Sequence, residues 1–310
     1  MKIVLLGCGG QVGRELMRTL PALGEVIALD QEKANFNDLE GLRQTLYAHS
    51  PDIIVNAAAY TAVDKAESEE AAALRVNAEA VGVLAEYARY TGSLLVHYST
   101  DYVFDGEKDG AYIETDKTNP VSVYGRTKRA GEEAVMQGGS HYLIFRTSWV
   151  YSAHGHNFIK TILRLARERE SLNIVSDQIG APTSAELIAD VTALSIAAYF
   201  ANVLPEGMYH LTAAGETSWH GLASYAVEKA IENGVELKLN TQSIHPIATE
   251  EYPLPAKRPK NSRLDNSKLT SRLGFPMPDW RFHVDRAVEQ LMGSGKWEVG
   301  KWEVGNGKTA

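Results

Sequence analysis

The first thirteen residues constrain the fold more than any other stretch of the chain. Residues 2–6 form a continuous apolar run, which is typical of a strand buried on both faces. Gly7, Gly10 and Gly13 follow and lead into a segment with helical spacing. In that order, backbone amides at a helix N-terminus can bind the pyrophosphate of a dinucleotide. The stretch predicts a dinucleotide-binding unit, although its GxxGxxG spacing departs from GxGxxG and a plain tight turn is the alternative.

Apolar runs and helical segments alternate over residues 1–150. Four more strand-like runs follow the first, at residues 25–29, 51–56, 94–98 and 142–147. The alternation predicts an α/β fold with a Rossmann-like, doubly wound parallel sheet in residues 1–150. A long alanine-rich helix is expected at residues 69–89.

The rhythm loosens after residue 150, which predicts a smaller C-terminal substrate-binding lobe in residues 151–292. Some of its helices should pack back on the first domain, and short strands are expected at residues 208–212 and 235–239. The pentapeptide KWEVG occurs twice in succession near the end. Two copies are too few for a repeat fold, so residues 293–310 are predicted to be a flexible tail.

Composition excludes several classes of protein. The 310 residues carry a net charge of −8, which argues against a nucleic-acid partner and against an anionic membrane surface. Cys8 is the only cysteine, so neither a disulfide framework nor a cysteine zinc cluster is expected. No apolar stretch is long enough to span a bilayer, and none resembles a signal peptide. We therefore expect a soluble, cytoplasmic protein.

Asp30 ends the second strand, 20 positions after Gly10. A carboxylate at this place suits a hydrogen bond to the adenosine ribose of a dinucleotide. It would repel a 2′-phosphate and so favours NADH, but Lys33 is close enough in sequence to offset that repulsion. NADPH and NADH both stay open, and a capped loop is the alternative for Asp30.

Tyr124 and Lys128 are the candidate acid–base pair. Four residues apart on a predicted helix, they lie on one face. A phenol has a pKa near ~10, and a neighbouring ammonium stabilises the phenolate and lowers that pKa. Such a pair can exchange a proton with a carbonyl or alcohol oxygen, which a hydroxyl of Ser99 or Thr100 would hold. Alone, the pattern is common on solvated helices; the glycine loop and the strand ends around it favour chemistry.

A basic, proline-broken segment spans residues 253–263. Its cations are Lys257, Arg258, Lys260 and Arg263. In an acidic protein such a cluster suits a phosphorylated ligand, and a solvated surface loop is an equal alternative.

With the glycine loop, the Ser-Thr-Asp strand end and YxxxK in order, the chain resembles an extended short-chain dehydrogenase/reductase. More narrowly, it resembles the dTDP-4-dehydrorhamnose reductase family over residues 1–292. The motifs that carry this resemblance are GQVG (10–13), VNAAAYTAVDKAE (55–67), STDYVFDG (99–106), VYGRTK (123–128), RTSWVY (146–151) and RPKNSRL (258–264). The resemblance implies reduction of the 4-keto group of dTDP-4-dehydro-L-rhamnose by NADPH or NADH. The product, dTDP-L-rhamnose, serves bacterial cell-surface polysaccharide such as lipopolysaccharide O-antigen.

The resemblance also implies residue roles. Tyr124 would protonate the C4 alkoxide, Lys128 would bind the nicotinamide ribose and lower the tyrosine pKa, and Thr100 would hold the sugar oxygen. The implied cofactor contacts are Gly7, Gly10, Gln11, Val12, Asp30, Asn35, Phe36, Ala59, Tyr60, Thr61, Tyr98, Tyr124 and Lys128. The implied substrate contacts are Thr100, Asp101 and Trp149, and the basic segment adds Arg258. Asn35-Phe36 stands where relatives often have Asp-Phe.

Some members of the resembled family dimerise around magnesium held by glutamates. Glu15, Glu186 and Glu289 fall at the matching places, so a homodimer with Mg²⁺ is one expectation. Carboxylate oxygens suit such a hard cation, and solvated helix faces are the alternative.

Two other functions stay open at this point. A nucleotide-sugar 4-epimerase would use the same tyrosine and lysine but keep its NAD tightly bound. A non-catalytic regulatory subunit, as in the related methionine adenosyltransferase beta subunits, would bind NADP and a partner enzyme without turnover.

Overall fold

The structure is a computed structural model that describes residues 1–293. Its strands are β1 (Lys2–Leu6), β2 (Glu25–Leu29), β3 (Ile53–Asn56), β4 (Leu94–Thr100), β5 (His141–Thr147), β6 (Val150–Tyr151), β7 (Leu172–Val175), β8 (Ile179–Gly180), β9 (Thr183–Ser184), β10 (Gly207–His210), β11 (Thr217–Ser218), β12 (Ile244–Ile247) and β13 (Asn261–Ser262). Its α-helices are α1 (Gln11–Thr19), α2 (Leu39–His49), α3 (Val63–Ala66), α4 (Glu70–Leu74), α5 (Ala80–Thr91), α6 (Val123–Gly138), α7 (Phe158–Glu168), α8 (Ala185–Phe200), α9 (Trp219–Glu232), α10 (Ser267–Leu273) and α11 (Trp280–Gly293).

The main sheet has six parallel strands in the order β10-β5-β4-β3-β1-β2. This confirms the predicted doubly wound parallel sheet. The strand order reverses between β1 and β3, and in such sheets ligands bind in the crevice at the carboxyl ends of the strands where the order reverses. The glycine-rich turn after β1 lies at that crevice.

Both faces of this sheet are covered, which explains why its strands are apolar throughout. Ile3 and Leu5 of β1 face one buried cluster, which includes residues of α1, α8 and α11: Leu16, Ile188 and Val288. Val4 and Leu6 face the opposite cluster, which includes residues of α2 and α5: Leu42, Leu46 and Leu84. Alternation along one strand thus sends successive side chains into two separate helix layers.

The lobe has a smaller core of its own. Strands β7 and β12 pair in parallel, and α7 and α9 pack on them. The buried residues of this core are Ile162, Ala166, Leu172, Ala223, Val227, Leu239 and Ile244. A second small sheet, β11-β8-β13, lies beside it, and β6 pairs with β9.

Two elements that follow residue 150 in sequence, β10 and α8, belong to the main sheet and to the helix layer that covers it. Strand β10 pairs in parallel with β5. Helix α8 packs on α1, where Arg18 contacts Asp190 at 2.8 Å and the Thr19 hydroxyl donates to the Ala189 carbonyl at 3.2 Å. The predicted division at residue 150 stays a prediction, and the sheet itself continues past it.

The strand predicted at residues 235–239 is wrong. The amides of Lys238 and Leu239 both donate to the Ala166 carbonyl, near the end of α7. The segment buries Leu239 in the lobe core, which explains its alternating apolar pattern, but it does not pair with another strand.

The continuous helix predicted at residues 69–89 is also wrong in one place. A π-helical turn, Arg75–Glu79, separates α4 from α5.

Among the described residues, no helix combines the length and the apolar character that crossing a membrane requires. The predicted tail lies outside the described residues from residue 294 onward.

Candidate active site

The carboxyl ends of β4 and β5 bring the predicted hydroxyl and tyrosine side chains together. The parallel register sets Thr100 beside Thr147, so Asp101 and Trp149 emerge at the same sheet edge. Helix α6 starts there because the Ser122 hydroxyl caps it, accepting from the Gly125 amide at 3.1 Å. A Cβ on Gly125 would lie 2.2 Å from the Tyr102 carbonyl oxygen. This close approach presses the first turn of α6 against the end of β4.

Tyr124 projects from that first turn. Its ring meets Tyr102 edge-to-face at 5.5 Å. Burial raises the pKa of Tyr124, the Asp101 carboxylate raises it further, and a hydrogen bond with Thr100 lowers it. The net direction is opposite to the lowering expected from Lys128, because burial of the phenol dominates. A raised pKa keeps the phenol protonated at neutral pH.

Lys128 is buried one helical turn away. Its Nζ donates to the Tyr98 carbonyl oxygen at 2.6 Å. Burial lowers the pKa of Lys128 to about 8, and the Glu132 carboxylate opposes that shift. The ammonium therefore loses its proton more easily than an exposed lysine would, although it remains mostly protonated at neutral pH.

Asp101 lies beneath the hydroxyl of Thr100, which donates to its Oδ1 at 3.0 Å. The side chain is only 2% exposed. Burial raises the pKa of Asp101 to about 6, against hydrogen bonds with Ser262 and Thr100 that lower it. A buried carboxylate at a cleft edge can accept a hydrogen bond from a bound hydroxyl group.

The glycine turn fits a dinucleotide pyrophosphate. Gly7 has φ +80°, and a Cβ there would lie 2.6 Å from the Ala58 nitrogen. A Cβ on Gly13 would lie 2.1 Å from the Gly7 carbonyl oxygen. Gly10, the residue that precedes α1, has no side chain with which to cap the helix, so the first amides of α1 stay available to an anion. Gln11 is anchored by its Oε1, which accepts from Asn157 Nδ2 at 3.0 Å.

The residues predicted to contact the adenosine differ in their exposure and in the hydrogen bonds they already make. Asp30 does cap a turn, because its Oδ1 accepts from the Lys33 amide at 3.1 Å, and it also lies at the end of β2. Asn35 is exposed, and its Oδ1 accepts from the Asn37 amide at 3.0 Å. Phe36 is buried in the core cluster that includes Leu42 and Leu46, and its predicted contact with the cofactor stays a prediction.

The segment from Ala59 to Thr61 comes directly after Ala57 and Ala58, which lie against Gly7 of the glycine turn. Both backbone groups of Tyr60 bind the Asn77 side chain, at 2.9 and 3.1 Å. Asn77 lies in the π-helical turn and also donates to the Thr127 hydroxyl on α6 at 3.1 Å. Asn77 was not among the residues predicted for the site, although a polar residue within an alanine-rich helix was a visible signal.

Tyr98 contributes its backbone rather than its ring. Its hydroxyl hydrogen-bonds Thr192 of α8 at 2.8 Å, and the ring packs in the core. Only its carbonyl reaches the active-site lysine.

Trp149 has a left-handed backbone, with φ 49°, which is strained for a residue with a side chain. Its ring stacks on Trp219 at 3.7 Å, and a Cβ on Gly180 would lie 2.7 Å from it. Trp219 Nε1 in turn donates to Gln178 at 3.0 Å. The strained conformation is therefore held by packing on both sides.

Trp219 also lines a cavity of about 1260 Å³ in the lobe, together with Phe158, Tyr252 and Arg258. Three of the four cations predicted for a phosphorylated ligand are paired within the chain. They are Arg258 with Asp64 at 2.7 Å, Lys260 with Glu250 at 2.9 Å, and Arg263 with Glu216 at 3.6 Å. Lys257 is exposed and lines the cavity.

Within one copy of the described chain, the three glutamates of the magnesium expectation do not form a metal site. Glu15 contacts Arg18 at 3.3 Å, and Glu186 contacts Arg286 at 3.0 Å. Across residues 1–293, no group of three or more His, Cys, Asp or Glu side chains is arranged to hold a metal. An ion shared between two copies of the chain stays a prediction.

The parallel sheet, the glycine turn where the strand order reverses and the Tyr124–Lys128 pair define the chain as a dinucleotide-binding protein of the short-chain dehydrogenase/reductase class. A family model described as the RmlD substrate binding domain matches residues 1–292. The dTDP-4-dehydrorhamnose reductase of Burkholderia thailandensis is 50% identical over 298 residues, covering 94% of this chain and 99% of that protein. The chain therefore belongs to the dTDP-4-dehydrorhamnose reductase family.

Solved structures agree with this assignment. The dTDP-4-dehydrorhamnose reductase of Clostridium acetobutylicum is 34% identical and has a TM-score of 0.86, over 94% of this chain and 100% of that chain. The Bacillus anthracis dTDP-4-dehydrorhamnose reductase, in complex with NADP, is 33% identical with a TM-score of 0.84, over 93% of this chain and 99% of that chain.

Proposed function

We propose that the protein reduces the 4-keto group of dTDP-4-dehydro-L-rhamnose with NADPH or NADH and forms dTDP-L-rhamnose. The observation that carries the proposal is the convergence of Thr100, Tyr124 and Lys128 at the sheet edge that holds the glycine turn. Membership of the reductase family and the NADP complex of the Bacillus anthracis relative support it.

The chain would hold the cofactor from both ends. Amides at the start of α1, in Gln11 and Val12, would bind the pyrophosphate, and Asp30 would bind the adenosine ribose. Lys128 would bind the nicotinamide ribose, and Ala59 to Thr61 would border the ring. A bound reduced nicotinamide supplies the hydride. Lys33, exposed beside Asp30, leaves a 2′-phosphate acceptable, so both cofactors are proposed.

Proton delivery follows from the pKa directions. Because burial raises the pKa of Tyr124, the phenol starts protonated and can give its proton to the oxygen at C4. The Thr100 hydroxyl would hold that oxygen. The phenolate left behind would be stabilised by the Lys128 ammonium. C4 gains a hydride and its oxygen gains a proton, which balances the conversion of ketone to alcohol.

The lobe would bind the rest of the substrate. The cavity beside Trp219 is large enough for a nucleotide. Lys257 and Arg258 on its wall would meet the diphosphate, while Trp149 and Asp101 would contact the sugar. Arg258 would have to share its guanidinium with Asp64, which it already contacts through two hydrogen bonds.

The deciding experiment follows oxidation of NADPH and of NADH by absorbance, with freshly generated dTDP-4-dehydro-L-rhamnose. Fast oxidation with dTDP-L-rhamnose as product is the expected result, and it ranks the two cofactors. No oxidation while NADPH still binds would contradict the proposal and favour a regulatory subunit. NAD that stays bound through purification would instead favour an epimerase.

A homodimer joined by Mg²⁺ at Glu15, Glu186 and Glu289 is proposed from the family resemblance alone. Its test is the oligomer size with and without a chelator, in the wild type and in Glu15→Gln and Glu186→Gln. Identical sizes in all samples would remove the metal from the proposal.

A further inference from the structure

Helix α6 carries a third ionisable side chain, that of Glu132, on the same face as Tyr124 and Lys128. Glu132 follows Lys128 by four residues, so all three project from one side of the helix. Glu132 is 1% exposed, although a carboxylate is among the side chains least often buried. The reaction proposed above gives it no role.

Arg146 of β5 fixes the orientation of this carboxylate. Its Nε and Nη2 each donate to a different oxygen of Glu132 at 2.7 Å. The guanidinium side chain is itself 4% exposed and lies 5.0 Å from the Phe104 ring centroid. A two-point contact of this kind prevents the carboxylate from rotating.

A stabilising ion pair is the simpler explanation, but it accounts poorly for the position. A buried pair often contributes no more to stability than apolar side chains of similar volume would. Here the anion sits one helical turn from a buried ammonium. Its charge therefore acts where little water screens it.

Several other polar or ionisable groups surround Lys128. On β4, His97 is fully buried with a pKa well below its ordinary value, because of burial and the Lys128 charge, so it is neutral. Tyr98 offers only its carbonyl to Lys128. Tyr124 has a raised pKa, and Asp101, beyond Thr100, raises it. For the pKa of Lys128, burial is the lowering cause and the Glu132 carboxylate is the opposing one.

We propose that Glu132, oriented by Arg146, is a positioning residue that serves as the counter-charge of Lys128 and keeps it an ammonium ion during the reaction. On this proposal, the Glu132–Arg146 ion pair serves to place a negative charge near Lys128, and the protein does not need the pair in order to fold. The catalytic part of the inference rests on the proposed reductase function. The predicted effect of Glu132 on the pKa of Lys128 does not depend on that function.

The first test is Glu132→Gln, which keeps the shape and removes the charge. The Lys128 titration is followed in cofactor-free protein by ¹³C NMR of the lysine Cε, assigned with Lys128→Met. The expected result is a Lys128 pKa lower by about one unit, the smaller end of the effect of a neighbouring charge. The alkaline limb of kcat should move to lower pH by a similar amount. Glu132→Asp, which keeps the charge, should shift both less.

A second variant separates charge from folding. Glu132→Leu combined with Arg146→Met replaces the ion pair by apolar side chains of similar size, which also covers the case in which Glu132→Gln does not fold. We expect the double variant to fold with near wild-type thermal stability and to keep the lowered Lys128 pKa. A wild-type Lys128 titration in either variant would overturn the proposal, and so would a double variant that fails to fold. The NMR result stands even if the protein reduces no sugar nucleotide.

Discussion

At the scale of single residues, the proton donor makes the sharpest prediction. Tyr124→Phe should lower kcat by about 10²–10⁴-fold, the usual contribution of a positioned general acid, while the Kd for NADPH stays unchanged. Stopped-flow turnover and fluorescence titration measure the two quantities. Tyr209→Phe is the matched control, because it removes a phenol that donates to the Pro205 carbonyl at 2.7 Å, away from the site. Near wild-type turnover in Tyr124→Phe would contradict the assigned role.

Replacing Asp101 by asparagine is predicted to stabilise the protein, by an amount that depends on pH. Because the folded pKa is about 6 and the ordinary value is 3.8, the folded protein holds a proton that the unfolded chain releases between these values. Stability is therefore lost as pH rises from 3.8 to about 6, by about 3 kcal/mol in total. Asp101→Asn should recover this free energy at neutral pH while impairing turnover. Urea unfolding of both proteins between pH 4 and 8, a range set by these pKa values, measures the difference.

Asp105 is the control of opposite sign. Burial raises its pKa, but hydrogen bonds from the Glu107 amide, Tyr112 and Asn119 outweigh burial and lower the pKa below its ordinary value. Asp105→Asn should therefore destabilise the protein at neutral pH. A stability difference for Asp101→Asn that does not change with pH would show that its carboxylate bears no burial penalty.

Individual side chains were predictable where local rules decide them. Helical spacing placed Lys128 beside Tyr124, and the edge of a parallel sheet placed Thr100 near both. The pKa direction of Tyr124 was not predictable, because it depends on how later segments bury the phenol. The contact between Arg258 and Asp64 was hidden as well, since the two residues are 194 positions apart.

At the scale of elements, the π-helical turn Arg75–Glu79 links the cofactor-side loop to the catalytic helix. Asn77→Ala would remove three hydrogen bonds of 2.9–3.1 Å, two to Tyr60 and one to Thr127. We expect a stability loss of about 1–3 kcal/mol and weaker NADPH binding, because the segment around Ala59 loosens. Thermal unfolding and fluorescence titration measure both.

Thr127→Val is the matched variant for this turn, since it removes the Asn77 bond to α6 and leaves both bonds to Tyr60. It also removes the bond from the Thr127 hydroxyl to the Tyr124 carbonyl at 2.9 Å, which lies within α6. Its NADPH affinity should stay close to wild type. Equal losses of affinity in Asn77→Ala and Thr127→Val would mean that the helix contact matters and the loop contact does not. Periodicity alone could not reveal this turn, because one wider turn barely changes the apolar pattern of an alanine-rich helix.

At the scale of the whole molecule, the sheet and the lobe are interleaved in sequence. The five first strands were predictable from apolar runs followed by helices. Strand β10 was expected as a short strand, but its four residues carry no signal for which sheet they join. Its place beside β5 depends on the chain leaving the sheet, building part of the lobe and returning, which is decided by packing.

Arg258 joins these two parts of the molecule and makes the last prediction. It reaches from the lobe to Asp64 of α3 through bonds of 2.9 and 2.7 Å, and it lines the cavity. Arg258→Ala should raise KM for the nucleotide sugar tenfold or more, because a charge-assisted hydrogen bond contributes about 1.5–3 kcal/mol.

The affinity of the same variant for NADPH should stay near wild type, since the glycine turn lies on other elements. Arg164→Ala is the control within the lobe, because Arg164 is exposed on α7 and pairs locally with Glu168 at 2.9 Å. Steady-state kinetics with the sugar nucleotide and a separate NADPH titration distinguish the two sites. An unchanged KM in Arg258→Ala would mean that Arg258 serves the Asp64 contact alone, and that the diphosphate is held by Lys257 or by backbone groups of the lobe.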